Sequence, residues 1–310
     1  MRFRHLFGPV PSRRLGVSLG IDLVPFKTCT LDCIYCECGK TTFLTVERKE
    51  YVPLKEVIEE LNHYLQMKPQ LDYITFSGSG EPTLHSKIEQ VINYLKENYQ
   101  EYKVCLLTNG TLFKEEQVRK QVLKADLIIP SLDTASEKGF QQINRPHPSL
   151  NCLEIIEGLV NLRREYSGEI RLEILIAPGF NDTTEELASL KEAIEKIKPD
   201  SIQLGTLDRP GTEEWLEPAD SKKMEEIATY LNKAELIGNF TPGKKISAFD
   251  DSSNRQILQL LRRRPCTAND LCKSLNLRPA EIQKYINHLL AQDKIELERK
   301  ERGIFYKVKK

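Results

Sequence analysis

The sequence predicts an α/β fold built on a parallel sheet, with a smaller second unit at its C-terminal end. Six short apolar runs alternate along the chain with segments whose apolar residues recur at the helical period. Most of these runs do not alternate with polar residues, as is typical of parallel strands that are covered on both faces. This order of strands and helices is compatible with either a doubly wound sheet or a barrel.

The predicted elements begin after an N-terminal arm at residues 1–15 that contains Pro9, Pro11, Arg13 and Arg14. In chain order, the predicted strands are LGVSLGIDLV, YITF at 73–76, VCLLT at 104–108, DLIIPSL at 126–132, IRLEILIAP and SIQLGTL. Helical spacing of apolar residues marks the segments between them. The predicted helices cover residues 54–65, 88–95, 114–124, 152–165, 184–197 and 221–233.

The composition is that of a globular protein that folds around an ordinary core. With 310 residues, 40% of them hydrophobic and 29% charged, the chain has room for one large and one small domain. It contains no run of about 18 apolar residues and no N-terminal stretch typical of a signal peptide. We therefore expect a cytoplasmic protein. Eight cysteines in such a chain argue against a disulfide scaffold and favour metal binding or catalysis where they cluster.

Residues 252–310 are predicted to form a small basic domain. They carry 14 Lys and Arg against 6 Asp and Glu, a surplus of eight positive charges that residues 1–251 balance. The stretch 242–254 lacks periodicity and is predicted to be a linker. Beyond it, three helical patterns precede KIELERKERGIFYKV, which reads as two strands turning near Gly303. This order suggests a winged helix-turn-helix domain.

That domain would present polar and basic side chains from its third helix and from its hairpin. These are Arg278, Gln283, Lys284, Asn287 and His288 on the helix, and Arg299, Lys300 and Arg302 on the hairpin. Such a surface can neutralise the phosphates of RNA, whereas many winged helices dock proteins or form dimers instead. The sequence leaves both interpretations open.

The segment CTLDCIYC at residues 29–36 places three cysteines close together, and Cys38 follows two positions later. A structural zinc ion would use four ligands and could recruit Cys38 as the fourth. An iron–sulfur cubane held by Cys29, Cys33 and Cys36 alone would leave one iron open to an exogenous ligand. The chemistry of that cluster would then be catalytic rather than structural.

Other polar motifs also follow predicted strands. GSGEP at 78–82 follows the second strand, TNG ending at Gly110 follows the third, and SLD ends the fourth. Because the carboxyl ends of parallel strands lie on one side of a sheet, we expect these motifs and the cysteine segment to share one site.

With these motifs in this order, the sequence resembles the radical S-adenosylmethionine (SAM) superfamily. The superfamily signature is CxxxCxΦC with an aromatic residue before the last cysteine, and Tyr35 fills that place. GSGEP resembles the superfamily's GGE-type loop, with Ser79 in place of the second glycine. The resemblance implies a partial (β/α)6 TIM-like barrel at residues 16–248, a [4Fe–4S] cluster bound by the three cysteines, and bound SAM. The SAM-binding residues that it implies are Tyr35, Gly78, Ser79, Gly80, Glu81, Asn109, Ser131, Asp133, Arg145 and Gly205.

Within that superfamily, the sequence is similar to the group that includes wyosine-type tRNA-modifying enzymes. The similarity is carried by GPVPSRRLG, by LGIDLVPFKTC and by INRPHP at residues 143–148. Those enzymes bind a second cluster through cysteines that precede the SAM motif, whereas no cysteine precedes Cys29 here. The resemblance implies modification of an RNA base. Radical SAM modification of a peptide or small metabolite is an alternative, and a cluster-bearing DNA-binding regulator is a non-enzymatic one.

The resemblance also implies roles for individual residues. One electron from a flavodoxin or ferredoxin would cleave SAM and yield a 5′-deoxyadenosyl radical. Glu81 would accept a hydrogen bond from the SAM ammonium, unless it is a carboxylate at the start of a helix. Arg145 would pair with the methionine carboxylate, unless it is a surface arginine before a proline turn. Ser131 and Asp133 would contact the ribose hydroxyls. Lys27 could face the substrate, although an exposed lysine is the default expectation.

Overall fold

The computed structural model describes residues 3–12, 14–237, 253–275, 277, 279–300 and 302–309. All but the last two residues of the predicted linker at 242–254 lie outside this description. Arg13 and Arg278 also lie outside it, as do the side chains of Lys284 and His288. The predicted basic face of the third C-terminal helix therefore falls largely outside the described part of the chain.

An eight-stranded sheet forms the centre of the large unit. The strands of this unit are β1 (Leu6–Ser12), β2 (Gly16–Ile21), β3 (Thr28–Cys29), β4 (Phe43–Leu44), β5 (Tyr73–Phe76), β6 (Lys103–Thr108), β7 (Leu127–Pro130), β8 (Glu169–Ile176), β9 (Ser201–Thr206) and β10 (Glu235–Leu236). The sheet order is β1-β2-β5-β6-β7-β8-β9-β10, and β3 pairs with β4 apart from it. Every neighbouring pair in the large sheet is parallel except β1 with β2. The six predicted strands therefore lie side by side in sequence order.

Helices connect these strands as the sequence predicts. The helices of the large unit are α1 (Leu54–Leu65), α2 (Ile88–Asn98), α3 (Glu116–Val122), α4 (Glu137–Gly139), α5 (Cys152–Glu165), α6 (Thr184–Ile197) and α7 (Ser221–Tyr230). All six predicted helices are present, and their ends differ from the predicted ones by three residues at most. Within the described ranges, no helix combines the length and the apolar character needed to cross a bilayer.

Strand β1 lies within the stretch that the sequence predicts to be an arm. It runs antiparallel to β2, with Leu6 opposite Ile21 and Ser12 opposite Gly16. Prolines are uncommon in strands, because proline cannot donate a ladder hydrogen bond. At the edge of a sheet one side of the strand has no partner strand, so proline is tolerated there. The N-terminal residues are thus part of the sheet and not a free arm.

The two faces of the sheet differ in character. On the helical side, strand residues such as Ile74 and Val104 are fully buried in the main hydrophobic core. On the opposite side, Ser18 and Thr75 share a hydrogen bond of 2.6 Å, and a smaller apolar cluster includes Cys105. The main core thus lies under the helices, and the strand ends carry the polar loops that form the candidate site.

The C-terminal unit contains three helices and a small sheet. Its elements are α8 (Ser253–Arg263), β11 (Cys266–Thr267), α9 (Ala268–Leu275), α10 (Pro279–Ala291), β12 (Ile295–Lys300) and β13 (Gly303–Val308). The hydroxyl of Thr267 accepts a hydrogen bond from the Asp270 N–H at 3.1 Å and so caps α9. The unit has its own hydrophobic cluster, which takes in Val10 of β1. The order of three helices followed by a hairpin is as the sequence predicts.

The C-terminal unit contacts β1 and the segment that follows β9. At the β1 end, Gln259 Nε2 donates a hydrogen bond to Leu6 O at 3.4 Å. Beyond β9, near the other end, Arg302 forms an ion pair with Asp208. The unit therefore contacts the large unit at two separate places.

Candidate active site

The cysteine segment is held on one side by the INRPHP motif at residues 143–148. The backbone N–H of Ile34 donates to Ile143 O at 2.9 Å, and the N–H of His147 donates to Thr30 O at 2.9 Å. These bonds run along both segments as a short antiparallel pairing. The motif therefore supports the cysteine segment directly, because its backbone fixes the path of the chain between the cysteines.

The GSGEP loop holds the cysteine segment from another side. The N–H of Lys27 donates to Ser79 O at 2.7 Å, and the N–H of Glu81 donates to Thr28 O at 3.1 Å. A Cβ atom at Gly80 would overlap the carbonyl oxygen of Thr28. Glycine is needed here because the two backbones lie in direct contact. The loop and the first cysteine are thereby fixed relative to each other.

Gly78 in the same loop lies against the carboxylate of Asp22. It has a φ of +121°, and a Cβ atom there would overlap Asp22 Oδ1. The same oxygen accepts a hydrogen bond from the Ser79 N–H at 3.3 Å. Both the backbone conformation and the close carboxylate exclude any residue with a side chain at this position.

Each of the three clustered thiols accepts a hydrogen bond from a different side chain. The donor and acceptor atoms are Asn109 Nδ2 and Cys29 Sγ at 3.5 Å, Asn144 Nδ2 and Cys33 Sγ at 3.4 Å, and Lys27 Nζ and Cys36 Sγ at 3.0 Å. Such donors favour the thiolate form, which is the form that binds metal. Separate parts of the fold therefore supply a hydrogen-bond donor to each of the three sulfurs.

Lys27 is buried, and the expectation that it is exposed is wrong. Its relative exposure is 3%, and its φ of +58° is unusual for a residue other than glycine. Burial is the largest single influence and lowers the pKa of this ammonium, but Cys36, Cys29 and Cys38 together raise it more, and the net shift is upward. A buried ammonium needs an anionic partner, and Cys36 supplies one.

The pKa values of the thiols differ widely. Burial raises the pKa of Cys29 to about 12 and that of Cys33 well above the usual range. The pKa of Cys36 is lowered to about 6, because the thiol of Cys38 donates a hydrogen bond to it and Lys27 adds a positive charge. Cys36 is thus the first of these thiols to ionise in the metal-free protein.

The thiols are not arranged around a single ion. Among the described residues, no three Cys, His, Asp or Glu side chains are placed to hold one metal ion together. The Cys38 sulfur also lies 3.8 Å from Gly78 O. A structural zinc ion needs four ligands that converge on one point, whereas each thiolate of a cubane binds a different iron. The donor set therefore fits an iron–sulfur cluster better than it fits zinc.

Glu81 is buried and its carboxylate is satisfied from within the chain. It accepts hydrogen bonds from Thr83 N at 3.0 Å, Thr108 Oγ1 at 2.7 Å and Asn109 N at 2.8 Å. Burial raises its pKa. The bond to Thr83 N matches the predicted alternative of a carboxylate at a helix start. The carboxylate ties the GSGEP loop to the end of β6, and its contact with the SAM ammonium stays a prediction.

Two further predicted residues, Tyr35 and Asp133, contact each other. The Tyr35 hydroxyl donates to Asp133 Oδ2 at 2.5 Å, and Asn144 Nδ2 donates to the same oxygen at 2.8 Å. Burial raises the pKa of Asp133. Tyr35, Asp133 and Ser131 line a cavity of about 50 Å³. The structure therefore brings these residues together beside the cysteines, and their contact with ribose stays a prediction.

Arg145 and Gly205 lie at the edge of this group. Arg145 forms an ion pair with Glu213, whose other oxygen accepts from the Trp215 indole N–H at 3.0 Å. This pairing agrees with the alternative of a surface arginine, and contact with the methionine carboxylate stays a prediction. Gly205 lies in β9 opposite Leu175 of β8.

Two residues that contact the cysteine segment were not identified from the sequence. The Asn144 side-chain amide donates hydrogen bonds to both Cys33 and Asp133. Its place within the INRPHP motif was the sequence feature that could have indicated a role at the site. Arg209 is 7% exposed, and its Nη1 lies 3.2 Å from the carboxylate of Glu37. Glu37 lies between Cys36 and Cys38 in the sequence. No local pattern marked Arg209, because its burial depends on segments that are far apart in sequence.

Comparison with known proteins places these features in a family. The chain matches the family model described as Radical SAM superfamily over residues 23–193. It is 31% identical over 292 residues to the UPF0026 protein MJ1312 of Methanocaldococcus jannaschii, covering 91% of this chain and 90% of that protein. It is 33% identical over 298 residues to the GTPase Obg of Brachyspira hyodysenteriae. That match covers 95% of this chain but 44% of the relative, so the chain spans less than half of that protein's length.

The fold is also similar to solved structures. The crystal structure of a radical SAM methyltransferase from Sphaerobacter thermophilus aligns with a TM-score of 0.54 at 14% identity. The alignment covers 73% of this chain and 67% of that one. At this level of identity the likeness concerns the fold alone, and it agrees with the mixed α/β architecture.

The order of thiol ionisation can be tested by alkylation. In the reduced, metal-free protein, we expect iodoacetamide to label Cys36 at a lower pH than Cys29, because the thiolate is the nucleophile. Lys27→Met should move the Cys36 curve to higher pH, since it removes a positive charge from beside the thiolate. Peptide mass spectrometry across a pH series measures both curves. Cys152, whose pKa burial raises to about 12, is the internal control. Labelling of Cys29 at the same pH as Cys36 would contradict the proposed order of thiol ionisation.

The contact between the two site segments predicts the effect of a methyl group at Gly80. Gly80→Ala should destabilise the protein by about 1–3 kcal/mol, because the new Cβ overlaps the Thr28 carbonyl. Gly205→Ala is the matched control, since its Cβ would meet the flexible end of Ile237 at 3.3 Å. Urea unfolding of both variants and the parent measures the difference. Equal midpoints for the two variants would show that the segments are not in close contact.

Proposed function

Because the chain belongs to the radical SAM superfamily and to the UPF0026 protein family, we propose that Cys29, Cys33 and Cys36 hold a [4Fe–4S] cluster at which SAM is cleaved reductively. Members of the superfamily bind such a cluster and SAM, and the chain is an iron–sulfur enzyme of this superfamily. The residues that touch each cofactor and the substrate are part of the proposal.

The observation that carries the proposal is the set of three hydrogen-bonded thiols. Their donors come from three separate places: a residue before the cysteines, the turn after β6, and the INRPHP motif. Hydrogen bonds to cluster sulfurs and nearby charge both influence the reduction potential of a cluster. A structural cysteine would need none of these donors, because an isolated buried thiol packs as a small apolar residue.

The residues around the thiols have positioning roles in this proposal. When bound, the cluster would supply one electron to SAM, and cleavage of a carbon–sulfur bond would then give methionine and a 5′-deoxyadenosyl radical. Gly78 and Gly80 allow the loop backbone to lie close to its neighbours, where a bound ligand can meet it. Glu81 fixes that loop to β6, and the Tyr35–Asp133 hydrogen bond fixes the cysteine segment to the end of β7.

We extend the proposal to the architecture and the electron donor. The sheet would form a partial (β/α)6 barrel at residues 16–248, which its uninterrupted strand order supports. Residues 252–310 would form a winged helix-turn-helix domain, which the three helices and the hairpin support. A flavodoxin or ferredoxin would supply the electron.

For the substrate, we propose a base in RNA, with tRNA as the first candidate. The similarity to wyosine-type enzymes and the positive surplus of residues 252–310 support it. On the hairpin, however, Arg302 pairs with Asp208, and Lys300 Nζ lies 3.3 Å from Glu214 O. Of the three hairpin residues that the sequence assigned to phosphate contacts, Arg299 and Arg302 are exposed and Lys300 is half-buried. RNA would thus meet fewer hairpin charges than the sequence alone suggests.

Removal of one cluster thiol provides the first test. Cys33→Ala should abolish formation of 5′-deoxyadenosine, because a cubane that lacks one protein ligand is not retained. Cys38→Ala is the matched control and should keep most of the activity. Anaerobic assays with dithionite and SAM, read by liquid chromatography and mass spectrometry, measure the product, and iron and sulfide analysis measures the cluster. Product formation by Cys33→Ala at the parent rate would refute the proposed ligand set.

The substrate is tested by incubation with total tRNA. The anaerobic protein with SAM and reductant should produce a nucleoside of new mass after nuclease digestion, and the Cys33→Ala protein should not. Mass spectrometry of the digested nucleosides is the measurement. SAM cleavage without any changed nucleoside would refute an RNA substrate and favour a peptide or small metabolite.

A further inference from the structure

The C-terminal unit places one arginine beside the GSGEP loop. Arg263, the last residue of α8, forms an ion pair with Asp22, which follows β2. The guanidinium carbon of Arg263 lies 3.7 Å from the centre of the Phe7 ring. Both side chains of the ion pair are 14% exposed. An arginine that is both paired and stacked is held far more rigidly than one on an open surface.

Asp22 connects this arginine to the backbone of the GSGEP loop. Its Oδ1 accepts the hydrogen bond from the Ser79 N–H, and its Oδ2 pairs with Arg263. Oδ1 also fills the space that a Cβ atom of Gly78 would occupy, and Arg263 Nη1 lies 3.6 Å from that position. A single carboxylate therefore joins the C-terminal unit to a loop of the candidate site.

The ion pair borders a space of ligand size. A cavity of about 680 Å³ lies between β1 and α8, and Phe7, Asp22, Ser79 and Arg263 all contribute to its wall. This volume is within the usual range for small-molecule sites. The pair is thus placed where the C-terminal unit and the site loop meet, and not inside the core of either unit.

The hydrogen bond to Ser79 depends on the guanidinium. Burial raises the pKa of Asp22 above its usual value even though Arg263 opposes this shift. Without Arg263, the buried carboxylate would have lost its charged partner and would protonate or turn towards water. A protonated carboxyl accepts a weaker hydrogen bond than a carboxylate does. Loss of the guanidinium therefore loosens the loop at Ser79.

We propose that Arg263 is a positioning residue through which the C-terminal unit controls SAM affinity, because Arg263 holds Asp22 and Asp22 holds the SAM-binding loop. This inference rests on the proposed function, in which the GSGEP loop binds SAM. It gives the C-terminal unit a role at the cofactor site in addition to any contact with substrate. Occupancy of the C-terminal unit by a substrate can then be transmitted to SAM across one ion pair.

The test compares two adjacent arginines of α8. Arg263→Met keeps an apolar stem against Phe7 but removes the charge, whereas Arg262→Met changes an exposed neighbour on the same helix. Equilibrium dialysis of the anaerobic, cluster-loaded proteins with SAM, without reductant, measures the Kd. We expect Arg263→Met to weaken SAM binding about tenfold and Arg262→Met to leave it unchanged. Arg263→Lys should recover part of the affinity, because it restores the charge without the planar fork.

A second measurement reads the loop itself without SAM. Hydrogen–deuterium exchange of a peptide that contains Ser79 should be faster in Arg263→Met and in Asp22→Asn than in the parent. The double variant should exchange no faster than the worse single variant, because both changes break the same connection. Urea unfolding and iron content control for a general loss of structure.

The outcomes separate this inference from the proposed function. Unchanged SAM affinity in a cluster-loaded Arg263→Met protein overturns the inference, whatever the exchange data show. Weakened affinity in Arg262→Met to the same extent also overturns it, because the effect would not be specific to the ion pair. Failure of the parent protein to bind SAM at all would refute the proposed function instead.

Discussion

The candidate site depends on one constraint, which is the fixed path of the cysteine segment between neighbouring loops. Backbone hydrogen bonds from INRPHP hold it on one side, and backbone hydrogen bonds with the GSGEP loop hold it on another. Side-chain donors then reach each of the three sulfurs. The backbone bonds fix the path of the cysteine segment, and the side-chain donors restrict the positions of the three sulfurs. The chemistry inferred for the chain requires such placement, since an open iron must face a ligand in one orientation only.

Three largely buried carboxylates also connect segments around the candidate site. Glu81, Asp133 and Asp22 each accept at least one backbone N–H, and burial raises the pKa of each of them. A buried carboxylate is costly unless its oxygens are satisfied, so each one restricts the segments that supply its donors. Each carboxylate joins two segments that are distant in sequence. The site is consequently a set of strand-end loops that are connected to one another, and not only to their own strands.

The C-terminal unit is part of this connected set. It contacts the sheet at β1 and beyond β9, and its Arg263 reaches the carboxylate that anchors Ser79. Arg209, which bonds Glu37 in the cysteine segment, also lies 4.0 Å from Asp270 of α9. On the hairpin, Arg302 and Lys300 also contact the large unit, at Asp208 and at the Glu214 carbonyl. The positive surplus of this unit therefore serves contacts within the chain as well as any contact with a nucleic acid.

The sequence by itself determined the alternation of strands and helices, the clustered thiols and the strand-end position of GSGEP, because these depend on short-range periodicity and spacing. It also indicated the superfamily, since the motifs follow one another in a fixed order. It misjudged β1, whose prolines are tolerated only because the strand lies at an edge, and it misjudged Lys27, whose partner is a thiol nine residues away. The partners of Arg209 and Arg263 were decided by the tertiary structure alone, and so were the contacts of Asn144, for which INRPHP was only a general signal. A side chain's burial and its charged partner are set by segments that the fold brings together, and no local pattern encodes which segments those will be.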